Sequence, residues 1–212
     1  MRRTIANLLL NSRAVTINVE APYHYRSGML SPIYCDNRLL ISHPDEREAV
    51  VDGLVGVIQA QGLDPEVIAG TATAAIPFAA WVAWRLRLPM IYVRSGQKSY
   101  GKGRQIEGEL PAGARVVFTE DLVTTGGGVL DSIKDVRTAG GVVSGVVTVF
   151  EYGLPAALEA FRKNQVCLWS LSDFVTVLDV IGERGDLTDE EREIALGWKA
   201  DPDGWGRKMG YE

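Results

Sequence analysis

The chain has 212 residues, 46% apolar and 23% charged, with a formal net charge of −5. These values describe an ordinary globular chain long enough to bury a core without staples, and an acidic balance with no separate basic stretch argues against a nucleic-acid binder. With two histidines, His24 and His43, a histidine-rich metal site is excluded, and the widely spaced Cys35 and Cys167 read as buried free thiols.

In chain order, residues 5–10 are apolar enough for a short opening helix, and the Arg2-Arg3 start lacks the h-region of a signal peptide. No apolar run approaches the roughly 20 residues that span a bilayer, so the cytoplasm is the expected location. Residues 31–37 read as extended, entered through the Ser27-Gly28 turn. Pro44 opens a helix to about Gln61, with Val50, Leu54, Val57 and Ile58 at helical spacing. A strand–helix rhythm follows: strand 67–69, helix 76–86, strand 90–93, a long polar stretch, strand 116–118, helix 127–139, strand 142–150, helix 155–163 and a last strand at 166–169. Helices are expected at 174–181 and after Thr188, which forms a capping-box pair with Glu191. The tail 201–212 is polar and Gly-rich, with Trp198 and Trp205 as its docking residues. Continuous β-branched strands alternating with helices predict an α/β fold with a mostly parallel sheet flanked by helices.

The most informative segment is VVFTEDLVTTGGGVL, residues 116–130. A buried strand ends in Glu120 and Asp121, and Thr124, Thr125, Gly126, Gly127 and Gly128 then open a helix. Such a loop lies at the carboxyl ends of the strands, where open α/β sheets bind ligands. Its glycines let backbone N–H groups converge on an anion, helped by the helix N-terminus. The acids cannot bind phosphate; they suit sugar hydroxyls or a developing cation. Neither the P-loop nor the dinucleotide spacing is present. Glycine richness alone would favour a plain Gly-rich turn with two solvated acids; the full string of strand, acid pair, Thr-Thr and Gly run favours function.

The whole string resembles the phosphoribosyl pyrophosphate (PRPP) signature of the type I phosphoribosyltransferases. Further segments are similar to the orotate branch of that family: YRSGMLSPIYCDNR at 25–38, YVRSGQKSYGKGRQIEG at 92–108, AGTATAAIP at 69–77 and EYGLP at 151–155. The resemblance implies a single phosphoribosyltransferase domain over 1–212, with a small hood from about residues 1–40 and a C-terminal contribution. It implies that Glu120 and Asp121 meet the ribose hydroxyls, and that Leu122, Val123 and Thr124 to Gly128 complete the PRPP site around the 5′-phosphate. Thr71, Ala72, Thr73 and Ala74 form the pyrophosphate loop. Arg94 and Lys98 are the catalytic pair, joined by Tyr100 on PRPP, and Arg26, Thr124 and Tyr152 hold orotate.

The chemistry accounts for the cationic segment. Displacement at the anomeric carbon puts positive charge on the sugar and negative charge on departing pyrophosphate, so cations and Mg²⁺ must meet the leaving group while water is kept out. Arg94, Lys98, Lys102 and Arg104 carry that charge, and Gly96, Gly101 and Gly103 give hinges. The resemblance also implies a homodimer with segment 94–108 shared between subunits. Ser95, Tyr100, Ala74 and Tyr152 stand where many or some relatives carry a basic residue or histidine. Two other readings use the same cradle: a purine phosphoribosyltransferase, and a non-catalytic PRPP-sensing regulator, which would need a basic nucleic-acid face.

Overall fold

The computed structural model describes residues 1–25, 28–94 and 105–211. Its centre is a six-stranded sheet built from β5 (Val67–Thr71), β6 (Met90–Val93), β7 (Ile106–Glu107), β8 (Arg115–Val123), β9 (Val142–Glu151) and β10 (Leu168–Asp173). The order is β10-β9-β8-β5-β6-β7, parallel throughout except for the β6–β7 pair. The predicted mostly parallel sheet is therefore the one observed. Its strands read as apolar runs because both faces are covered. Val117, Val147, Val149 and Leu171 face one core, and Val116, Phe118 and Val146 face another.

Helices α2 (Pro44–Ala60) and α3 (Ala75–Leu86) cover the first face; α4 (Gly127–Thr138) and α5 (Pro155–Lys163) cover the second. Pro44 starts α2, where its missing N–H costs nothing, and Asp45 and Glu46 meet the positive end of the helix. Against β5, α3 sits very close: a Cβ added at Gly70 would lie 2.8 Å from the Ala79 Cβ and 3.1 Å from the Ala75 carbonyl oxygen.

The N-terminal segment begins with α1 (Arg2–Asn11), which packs Ile5, Ala6 and Leu9 toward β10 and α6 (Phe174–Arg184). Four short strands follow: β1 (Val15–Ile17), β2 (Tyr23–His24), β3 (Leu30–Ser31) and β4 (Ile33–Cys35). They pair antiparallel as β1–β4 and β2–β3. A 3-10 turn at Asn37–Ser42 leads into α2. The C-terminal helices α7 (Asp189–Ala200) and α8 (Trp205–Lys208) brace these strands. Trp198 Nε1 donates to the Leu30 carbonyl at 2.8 Å, and the Tyr211 hydroxyl donates to the Val19 carbonyl. The Thr188–Glu191 capping box forms at the start of α7 as the sequence predicts.

Three expectations are corrected. The last strand starts and ends later than 166–169, because Val166 caps the α5 turn through its N–H to the Phe161 carbonyl. β8 does not end at the acid pair but runs through it to Val123. Cys167 is exposed, while Cys35 is buried as expected. No helix among the described residues is long and apolar enough to cross a membrane.

Candidate active site

Because β5, β6, β8 and β9 run parallel, their carboxyl ends share one edge, and the segments singled out in the sequence leave from it. β5 delivers Thr71 to Ala74, with the Ala72 N–H bonded to the Val93 carbonyl at 2.8 Å and a cis peptide between Ala72 and Thr73. β6 delivers Arg94, whose N–H meets the Gln105 carbonyl at 3.0 Å. With the Val93↔Ile106 pair, this bond fastens the two ends of the cationic segment beside residues 71–74. Arg94 Nε lies 3.4 Å from Glu107 Oε1, an ion-pair distance that closes no hydrogen bond at that nitrogen.

β8 delivers the acid pair. Glu120 is buried and its Oε1 has no hydrogen-bond partner. Burial pushes its carboxyl up to about 8, against a smaller opposing pull from the Thr71 hydroxyl. Asp121 is pushed up to about 6, again by burial, while its own N–H, the Leu122 N–H and Arg38 pull it back. A carboxyl group held in this way is poised to gain from a ligand that donates hydrogen bonds or positive charge.

After Val123, Thr124 and Thr125 lead to Gly126, which has φ +79° at the N-cap of α4. A Cβ there would come within 2.5 Å of Phe161 Cε2, so glycine is required by conformation and by space. A Cβ at Gly127 or Gly128 would meet nothing within 4 Å. No side chain crowds the first turn of α4, and the N–H groups of a helix's first turn have no partner within the helix, so this end suits an anion.

Among the described residues, the buried side-chain atoms without a partner are Asn37 Oδ1, Thr71 Oγ1, Arg94 Nε, Thr119 Oγ1, Glu120 Oε1 and Ser172 Oγ. Thr71 and Arg94 lie at the carboxyl ends of β5 and β6, Thr119 and Glu120 lie within β8, Asn37 is on the 3-10 turn, and Ser172 is near the end of β10. Native interiors satisfy most buried polar groups, so this clustering marks a place built for something else to complete.

Of the expected site residues, the structure gathers Thr71, Ala72, Thr73, Ala74, Arg94, Glu120, Asp121 and Thr124 to Gly128 at this edge. Leu122 and Val123 belong to β8, and Val123 is buried among apolar residues, leaving only its backbone for a ligand. Tyr152, expected on orotate, is 1% exposed and stacked edge-on with Phe150, Phe174 and Trp198, and its hydroxyl pairs with that of Tyr25 at 2.9 Å. Arg26, Lys98 and Tyr100 lie outside the described residues.

One further residue joins the site. Asn37 is fully buried and donates from Nδ2 to the Asp121 carbonyl at 2.6 Å. Beside it, Arg38 holds Asp36 through Nε and Nη2 at 2.6 and 2.8 Å. Nothing in the SPIYCDNR string announces that contact, which spans 84 positions of sequence. Tyr34 is exposed next to the Tyr23 and Tyr25 rings on the same side of the molecule.

Among the described residues no cluster of three or more His, Cys, Asp or Glu side chains could hold a metal. The donor set is a buried acid pair, which fits a hard, oxygen-seeking ion bound chiefly through substrate phosphates.

No family model matches the chain. Among curated proteins it is similar to the orotate phosphoribosyltransferase of Coxiella burnetii (strain RSA 493 / Nine Mile phase I), 44% identical over 201 residues, 95% of this chain and 96% of that one. It is similar in the same way to that of Bacillus subtilis (strain 168), 43% identical over 210 residues, 98% of this chain and 97% of that one. Among solved structures, the orotate phosphoribosyltransferase of Aeropyrum pernix superimposes with a TM-score of 0.75 at 31% identity, covering 84% of this chain and 98% of that one. Identity at this level over nearly the whole length, with a solved structure of the same family superimposing on the chain, places it in the orotate phosphoribosyltransferase family.

Proposed function

We propose that the chain transfers the 5-phosphoribosyl group of PRPP to orotate in the cytoplasm, forming orotidine 5′-monophosphate and pyrophosphate in pyrimidine (UMP) biosynthesis. The observation that carries this reading is the buried Glu120, its Oε1 without a hydrogen-bond partner, next to the half-buried Asp121 and the glycine-opened start of α4. A sugar phosphate presents both complements at once, hydroxyl donors for the acids and an anion for the helix end.

In this reading a ring nitrogen of orotate forms the new bond to the anomeric carbon as the carbon–oxygen bond to pyrophosphate breaks. The N–H groups of Thr124 to Gly128 hold the 5′-phosphate, and Glu120 and Asp121 orient the ribose and oppose the positive charge that grows on it. Thr71 to Ala74 receive the pyrophosphate, Arg94 and Lys98 meet its rising negative charge, and Tyr100 adds a hydroxyl donor to PRPP. Arg26 and Thr124 hold orotate, whose carboxylate needs a cation. Mg²⁺, when bound, neutralises the pyrophosphate, with Glu120 and Asp121 the side chains able to face it.

The active form in this reading is a homodimer sharing segment 94–108. An outward tryptophan supports a subunit contact on α3: Trp84 is 75% exposed, beside Trp81 under the Arg47 guanidinium at 4.8 Å. Glu48 and Asp52 flank Arg85 there, so the patch carries both signs and can meet its own copy.

Orotate consumption followed spectrophotometrically, with and without PRPP and Mg²⁺, tests the proposal. Turnover is expected with orotate and not with adenine, hypoxanthine or xanthine; turnover with a purine alone overturns the choice of acceptor.

A further inference from the structure

We propose that Asn37 is a positioning residue for PRPP binding, acting through Asp121. The last residue pair between β5 and β8 is Gly70↔Thr119, so the acid pair lies beyond the part of β8 that β5 holds. There the Asn37 amide donates to the Asp121 carbonyl at 2.6 Å, across 84 positions of sequence. The turn that presents Asn37 is itself locked. The Asp36 carboxylate accepts from the Arg38 N–H at 3.1 Å and from the Arg38 guanidinium, and Leu40 anchors the turn in the core.

The cost of this arrangement shows what it is for. Asn37 is fully buried and its Oδ1 has no partner. An apolar side chain of similar size would fill the space without burying an unmet acceptor. What the amide adds is one directed bond to the peptide that carries Asp121, and that peptide sets where the carboxylate points. The inference rests on the reading that Asp121 serves the ribose of PRPP.

The test is a double-mutant cycle of Asn37→Ala and Asp121→Asn, reading KM for PRPP, KM for orotate and Tm. Asn37→Ala is expected to raise KM for PRPP about tenfold, the worth of roughly one hydrogen bond, and to leave KM for orotate within about twofold. In the Asp121→Asn background the same change should add less than about twofold, because the two residues act as one unit. KM does not depend on the fraction of folded enzyme, so a lowered Tm alone does not reproduce this split. If Asn37→Ala yields no folded protein, Asn37→Ser, which keeps a hydroxyl donor, enters the same cycle with a smaller expected rise. An unchanged KM for PRPP, or equal effects in both backgrounds, overturns the inference. Wild-type enzyme without PRPP turnover overturns the functional reading together with it, whereas an active wild type with an additive cycle overturns this inference alone.

Discussion

Polar groups are buried in two parts of this molecule, and they are treated in opposite ways. Beneath the N-terminal strands, the Tyr152 hydroxyl meets Tyr25, the Tyr25 hydroxyl reaches the Ile33 carbonyl at 2.7 Å, and the Trp198 indole meets the Leu30 carbonyl. At the end of β5 and within β8, the neighbouring Thr71 Oγ1 and Glu120 Oε1 are buried atoms, and the Glu120 oxygen is left open. A closed polar network fixes a fold, because breaking it strands a donor or acceptor away from water. An open one destabilises the free chain and is repaid only when a ligand arrives. The contrast separates the part that builds the structure from the part that uses it.

The largest effect should come from cutting the closed side. Trp198→Ala removes a fully buried indole that touches Tyr152 and Phe174, and should cost about 3–5 kcal/mol of stability. Thermal melts of the ligand-free protein should show this loss; a near-unchanged Tm would mean that this layer contributes little. Next comes the open side. Asp121→Asn should lower kcat/KM for PRPP by about 100-fold, the scale of losing one electrostatic contact at a reacting centre, with little change in Tm. A large drop in Tm instead would move Asp121 to the structural side.

Acidity probes the same contrast more gently. Glu120 is raised from 4.5 to about 8 and Asp121 from 3.8 to about 6. Between these limits the folded chain keeps protons that the unfolded chain has already lost. Stability therefore falls as pH rises through the window. From about pH 6 to 8 Glu120 carries the remaining share, so Glu120→Gln should flatten the Tm-against-pH curve there relative to wild type. Parallel curves would show that Glu120 is not held protonated. The smallest effect belongs to Tyr152→Phe, which removes one hydroxyl pair: about 1 kcal/mol of stability, with KM for orotate unchanged. A rise in that KM would return Tyr152 to the acceptor contacts.

These differences also mark what the amino-acid order made legible. β-branched runs such as Val116 to Phe118 and Val146 to Val149 show their burial directly, so the sheet and its helices were readable. The Glu120-Asp121 pair and the glycine run were readable because their chemistry is local to one loop. The strands β2 and β3 have two residues each, too few for any period to register, and they exist because α7 and α8 pack behind them. The burial of Tyr152 was not readable because its surroundings, Tyr25, Phe174 and Trp198, come from three distant segments. Asn37 was hidden for the same reason: a single amide bond to a far-off carbonyl leaves no trace in spacing.

The tight seat of α3 on β5 at Gly70 has a mechanical consequence. With so little slack between strand and helix, Thr71 at one end and Trp84 at the other belong to one packed unit. A contact made on the outward tryptophan is thus made on the same unit that carries the turn before Ala75.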